Sequence, residues 1–369
     1  MNQLFRWDQT GLFLLALAAG ILPFAVPEVC AAALREGLTL CSGPLLLSLF
    51  PFLVVSRLLV QCPESDLLAL PFRLAAWGIG IRTPCAARVL CIGFLGGFAP
   101  AASAAAQAVR TGQLTAEEAD ALLPACICSG PSFVVLTVGQ SLLGSAELGV
   151  LLFASQITAN YLTAALLNRF AGVRSVKPGS AAPASPAPLR LDEILADAAI
   201  TYCKLCGFIL FFRMLAAGAG TLLPAGAGTL CAVLLEVCSC CDLASRTGRW
   251  GSLLCCAALS VQGLSVLLQV RTICPPEMTL RPLYRSRLLH LPLSLALFYL
   301  LLPGGEADVF STLPARVLLM RRVPPDCALL VFAVCCMAAC ALRSGIRQVE
   351  QKQMARNAGG CCINSKTLL

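Results

Sequence analysis

The residues able to do chemistry in this chain are the few charged and polar groups that interrupt its apolar runs. Glu236 ends an uncharged run that begins at Met214. A carboxylate at the centre of a membrane helix costs about 2.5–3.5 kcal/mol on insertion scales, so it is a functional candidate by default. Three roles suit it: a proton or cation coupling group, a cap for backbone amides freed by a helix break, or a buried ion pair with Arg213 or Arg57. Arg57 and Arg213 fall in the similar segments Phe50 to Leu58 and Gly207 to Leu215. A guanidinium fork matches a carboxylate bidentately, which suits a planar dicarboxylate. An arginine near a helix end also snorkels to the headgroups, and both readings stay open. Ser129, Ser132, Asn160, Gln262, Ser265 and Gln269 add neutral donors and acceptors. These either contact a ligand without the penalty of charge or join helices, at about 0.6 kcal/mol per bond. His290, between Leu289 and Leu291, reads as a packed histidine rather than a proton relay.

Other chemistries fare worse. Thr115 with Glu118 three residues on has capping-box spacing, so the stretch Thr115 to Asp120 reads as a solvated helix start, not a catalytic carboxylate pair. Cys238, Cys240 and Cys241 are close enough together to suggest a metal, but the chain has a single histidine to complete a ligand set. Most of the 22 cysteines lie inside apolar runs, where they serve as small apolar helix fillers. No phosphate loop, zinc-protease motif or hydrolase elbow occurs. The expectation is a protein that is not an enzyme and needs no cofactor.

The elements that position these groups follow from composition. Of 369 residues, 58% are apolar and only 12% charged, against about 25% charged in an ordinary soluble domain. Uncharged runs of roughly the 17–25 residues that cross a bilayer lie at Gln9 to Pro27, Gly37 to Ser56, Val89 to Val109, Ala121 to Ala146, Leu148 to Asn168, Met214 to Leu235 and Trp250 to Val270. Shorter ones follow at Leu288 to Gly305 and Cys327 to Leu342. The chain is expected to be a multi-pass α-helical membrane protein. Its net charge of +8 gathers in the segment Gly172 to Arg190 and in the tail beyond Arg343. That bias assigns both to the cytoplasm and argues against a nucleic-acid partner. The first run lacks a cleavage site and reads as a retained helix.

The Pro-, Ala- and Ser-rich stretch Val173 to Leu189 is a linker dividing the chain into two halves alike in order of parts. Each half opens with an amphipathic stretch, Val29 to Thr39 or Leu191 to Lys204, followed by the apolar segment bearing Arg57 or Arg213. Each then has two apolar segments interrupted by small or helix-weakening residues. In the first half these are Gly96 to Ser103, containing Gly97, Pro100 and Ser103, and Cys128 to Ser132, containing Ser129, Gly130 and Pro131. In the second they are Glu236 to Ser245 and Ser260 to Ser265. Paired interrupted segments at corresponding places point to inverted repeats around a midplane site, because freed backbone groups are tolerable only where they line a protected cavity. The expected divisions are an N-terminal transmembrane helix (1–33), a first repeat (34–171), a cytoplasmic linker (172–190), a second repeat (191–303), a loop and C-terminal transmembrane helix (304–345) and a basic cytoplasmic tail (346–369).

The order of motifs resembles one family. Gly97-Phe98-Ala99-Pro100-Ala101-Ala102, Gly112-Gln113-Leu114-Thr115, Ser129-Gly130-Pro131-Ser132-Phe133 and Ala159-Asn160-Tyr161-Leu162 occur in the first half. Leu234-Leu235-Glu236-Val237, Gly263-Leu264-Ser265-Val266 up to Gln269, and Arg287-Leu288-Leu289-His290 occur in the second. From about Leu34 to Pro303 the chain resembles the sporulation integral membrane proteins of the YlbJ type, also called stage V sporulation protein SpoVV, which carry the nucleoside-transporter Gate domain. It departs from the family pattern in a first-break proline displaced by one, in Gly130 where an asparagine is usual, and in Ser103 where a lysine often stands. The resemblance implies an all-α fold of two inverted repeats with broken or re-entrant helices, as in concentrative nucleoside transporters. It further implies a permease moving dipicolinic acid from the mother cell across the outer forespore membrane. The partners are then a small anionic substrate, a coupling cation and the lipid bilayer. The alternative is a non-transporting Gate-domain scaffold in spore cortex or envelope assembly. The substrate-binding set on the permease reading is Gly97, Pro100, Ser103, Ser129, Gly130, Pro131, Asn160, Glu236, Ser265, Gln269, Arg57 and Arg213.

Overall fold

The computed structural model describes residues 9–61, 65–171 and 190–302. Most of the linker, and the C-terminal helix and basic tail expected at 304–369, lie outside the described residues. Among the described residues all regular structure is helical. The first part of the chain forms α1 (Gln9–Ala25), α2 (Pro27–Ser42), α3 (Pro44–Gln61), α4 (Ser65–Leu68), α5 (Leu70–Gly78), α6 (Pro84–Gly96), α7 (Phe98–Arg110), α8 (Ala116–Cys126), a π-helix π1 (Ser132–Leu142) and α9 (Ala146–Ala171). The second forms α10 (Leu191–Leu222), α11 (Ala225–Leu235), α12 (Val237–Ser245), a short 3-10 turn, α13 (Gly251–Val261), α14 (Gly263–Ile273) and α15 (Arg281–Leu301). Four segments, Pro27–Leu47, Ala146–Ala171, Leu191–Leu222 and Gly251–Ile273, are long and apolar enough to cross a membrane.

Several helices differ from the expected runs for local reasons. The run Val89 to Val109 splits at Gly97, Ala121 to Ala146 splits at 127–130, and Trp250 to Val270 splits at Gln262. Met214 to Leu235 splits before Pro224, whose missing amide ends α10. The amphipathic stretch Leu191 to Lys204 and the apolar segment after it are one helix, α10, of 32 residues. At about 1.5 Å per residue it spans roughly 48 Å, more than the ~30 Å hydrocarbon layer of a bilayer. Pro27 starts α2 after a break at Val26, and α2 runs through the boundary expected at residue 33.

Small residues let these helices approach closely. Ala99, Ala101, Ala102, Ala104, Ala105, Ala106 and Ala108 are all buried, so α7 is enclosed on every side. It packs against α3, α6, α8 and α14. Around it α9 contacts π1, α8 and α15, while α10 contacts α2, α3, α11 and α14. Large apolar side chains such as Phe24, Leu47, Phe170, Leu288 and Leu300 point outward, a surface suited to lipid rather than water.

The α8 start is a capping box: Thr115 Oγ1 accepts from the Glu118 amide at 3.1 Å, and Glu118 accepts from the Thr115 amide at 3.2 Å. Glu117 in this first turn is exposed, but the two acids that follow are not, which corrects the expectation of a wholly solvated start. Glu118 and Asp120 are buried. Glu118 accepts from Thr83 at 2.6 Å. Asp120 takes the Thr279 amide at 2.8 Å, the Thr279 hydroxyl at 2.6 Å and the Leu280 amide at 3.1 Å. These carboxylates pin α8 to the loops before α6 and α15, and buried carboxylates held by several donors are structural.

Candidate functional site

Each of the four interruptions is short. Gly97 has φ +80° and ψ −163°, a region that L side chains avoid. A Cβ there would lie 2.6 Å from the Gly130 nitrogen, so the first two breaks meet backbone to backbone. Gln262 takes the left-handed conformation at φ 64° and passes the chain to Gly263, where a Cβ would lie 3.1 Å from the Leu235 carbonyl and 3.2 Å from the Glu236 nitrogen. The last two breaks therefore also meet. The Gln262 side chain joins the pairs, its Nε2 donating to the Ile127 carbonyl at 3.2 Å.

That carbonyl is the focus of the site. Asn160 Nδ2 donates to it at 3.3 Å and Arg287 Nη1 at 3.4 Å. Three donors thus converge on one oxygen that has two lone pairs, and each distance exceeds the usual ~2.9–3.0 Å. Arg287 also donates from Nη2 to Asn160 Oδ1 at 3.1 Å and from Nε to Ser286 Oγ at 3.2 Å. It is 9% exposed. No carboxylate among the described residues pairs with it. A buried guanidinium is costly unless paired, so the Ile127 carbonyl is crowded with donors and the cluster carries a positive charge with no acid partner among the described residues.

A second polar layer lies one turn away on the same helices. Gln156, four residues before Asn160, donates to the Cys256 carbonyl at 3.2 Å and Ser260 Oγ at 2.9 Å. Ser260 bonds Ser294 at 2.5 Å. His290, three residues after Arg287, places Nε2 3.2 Å from the Gln156 carbonyl and is fully buried, a packed histidine. On α14, Gln269 donates to Ser265 at 3.0 Å. The Oε1 atoms of Gln156, Gln262 and Gln269 are buried without a hydrogen-bond partner.

The remaining predicted residues divide between this centre and its flanks. Pro100 and Ser129 are buried beside the breaks, with Pro131 at the start of π1. Glu236 is 2% exposed and caps α12, accepting from the Cys238 amide at 2.8 Å, the Ser239 amide at 2.7 Å and the Ser239 hydroxyl at 2.9 Å. Among the three roles open to it, the geometry is that of the cap; neither Arg57 nor Arg213 is its ion-pair partner. Arg57 instead pairs with Asp197 at 2.8 Å, and Arg213 with Glu36 at 2.7 Å. These pairs are reciprocal: each arginine meets an acid from the amphipathic stretch of the other half. Both involve α10, sixteen residues or about 24 Å apart along its axis, and neither arginine is among the donors to the Ile127 carbonyl, which are Asn160, Gln262 and Arg287. Arg57 and Ser103 line a separate cavity of about 170 Å³ at the far ends of α7 and α14.

Arg287 stands in the Arg287-Leu288-Leu289-His290 motif but not in the substrate-binding set read from the sequence, although its spacing from His290 at i, i+3 places both on one face of α15. It stands just before an uncharged run and so reads as a flank. The class these features define, among the described residues, is an all-helical protein with four segments long and apolar enough to cross a membrane and a polar, positively charged centre at four helix breaks. No protein-family model, curated protein or solved structure matches the chain.

Proposed function

We propose that this protein is a membrane permease for a small carboxylate anion, which binds where the four helix breaks meet. The observation that carries the reading is the donor surplus on Ile127. Arg287, Asn160 and Gln262 share one carbonyl, and the guanidinium has no acid partner among the described residues. An anion with several acceptor oxygens satisfies all three donors at once, and it supplies the charge that Arg287 lacks. Freed backbone groups at the breaks suit the same task.

Two further features support two inverted repeats: the reciprocal ion pairs, and the exchange by which α7 packs on α14 while α12 packs on π1. The motif resemblance suggests the substrate and setting, dipicolinate moved from the mother cell across the outer forespore membrane by a multi-pass protein. A planar dicarboxylate with a ring nitrogen matches a guanidinium fork flanked by amides. The test is flux in proteoliposomes with labelled dipicolinate, a nucleoside and a divalent metal as the panel. Selective dipicolinate transport supports the reading. Failure to move any anion, with the protein folded, refutes it.

A further inference from the structure

The cavity at the ends of α7 and α14 has a chemistry of its own. Arg57, Arg110, Lys204 and Asp197 border it, so three cations face one carboxylate. Arg110 and Lys204 form no ion pair among the described residues. Arg110 ends α7 and reaches across to the last carbonyl of α14, donating to Ile273 at 3.4 Å. Arg57 gives Nη1 to Asp197, but its Nε is buried with no hydrogen-bond partner. Ser103 and Thr272 add hydroxyls to the wall. The volume of about 170 Å³ lies below the ~300–1,000 Å³ of drug-sized sites, which limits an occupant to a small molecule.

We propose that this cavity is a second, outer site for a small dianion, filled from the aqueous side before the anion reaches Arg287; it presupposes the permease reading. Net positive charge sets the sign of the ligand, and two carboxylates balance it. One carboxylate displaces Asp197 from Arg57 while the other meets Arg110 and Lys204. A row of polar side chains leads inward from the cavity. Gln262, Ser265, Gln269 and Thr272 recur at spacings of three and four, which puts them on one face of α14. That face runs about 15 Å from the cavity to the Ile127 centre.

The experiment is calorimetric binding of pyridine-2,6-dicarboxylate and succinate to the purified full chain, paired with proteoliposome flux. Arg110→Gln and Lys204→Gln are each expected to weaken binding about three- to tenfold, raising the half-saturating concentration for flux while sparing its maximum rate. Asp197→Asn is expected to tighten binding about threefold, because it removes the competing carboxylate. A merely structural pair predicts no gain from Asp197→Asn, and that result overturns the proposal. So does unaltered binding in both cation variants. A third arm adds phosphatidylglycerol vesicles against phosphatidylcholine vesicles. Thermal stabilisation by phosphatidylglycerol alone, lost in Arg110→Gln, with no dicarboxylate effect, assigns the cavity to lipid headgroups and also overturns it. If the cation variants weaken binding as expected but no variant or wild-type protein moves dicarboxylate, the permease reading fails while the binding site stands.

Discussion

Replacing Arg287 with methionine separates a structural from a functional guanidinium. The three bonds of Arg287 run from 3.1 to 3.4 Å and all end on neutral acceptors, whereas charge-assisted bonds are typically about 2.7–2.9 Å long. The variant leaves Asn160 Oδ1 without this donor, which costs about 1–3 kcal/mol. It also removes a buried, acid-free charge, whose desolvation penalty is several kcal/mol in proteins. The two effects oppose, so thermal stability is expected to hold or rise. Binding behaves differently, because a carboxylate held by two charge-assisted bonds of about 1.5–3 kcal/mol each loses at least ~100-fold in affinity when the fork is removed. Arg287→Lys keeps the charge without the planar fork and is expected to fall between. The assay is thermal unfolding in detergent beside dicarboxylate binding and flux. A variant that loses several kcal/mol of stability while transporting normally refutes the reasoning, because the guanidinium is then a helix tie.

Three further variants test the geometry. Gly97→Ala forces a Cβ against the Gly130 nitrogen at a φ of +80° and is expected to cost more than about 2 kcal/mol. Gly112→Ala, with φ +69° but open space, isolates the backbone contribution and is expected to cost only about 1 kcal/mol by thermal unfolding. Glu236→Gln keeps acceptor capacity at the α12 cap, so a loss of roughly 1 kcal/mol in stability with flux and its pH dependence retained is expected; a flattened pH dependence reassigns Glu236 to coupling. Asp120→Ala strips three donors of their acceptor and is expected to lower stability by at least ~2 kcal/mol in denaturant unfolding, with Asp120→Asn milder.

Much of this architecture is legible in the sequence because its causes are local. Apolar runs give the helices, and Gly97, Gly130, Pro131 and Gly263 mark segments where helix cannot continue. Gln262 is harder, since a left-handed glutamine follows from the approach of Gly263 to Leu235 and Glu236 rather than from its own type. The burial of Glu118 and Asp120 was hidden for a similar reason. A capping box looks the same in sequence whether its outer side meets water or, as here, Thr83 and Thr279.

The pairing of the charges was the least legible part, and its form explains why. Aligning the halves in parallel sets Arg57 beside Arg213 as equivalents, and the natural partner for either is then Glu236. In the fold, equivalence works crosswise: Arg57 takes Asp197 from the second half, and Arg213 takes Glu36 from the first. Each pair gives its arginine a carboxylate partner, and Glu236 is occupied by the amides of α12. Arg287 is thereby left as the charge at the breaks without an acid partner among the described residues. An arginine's value as an anion ligand depends on which acids the fold places beside it, and that is set by contacts 140 and 177 residues apart in sequence, beyond the reach of any local pattern.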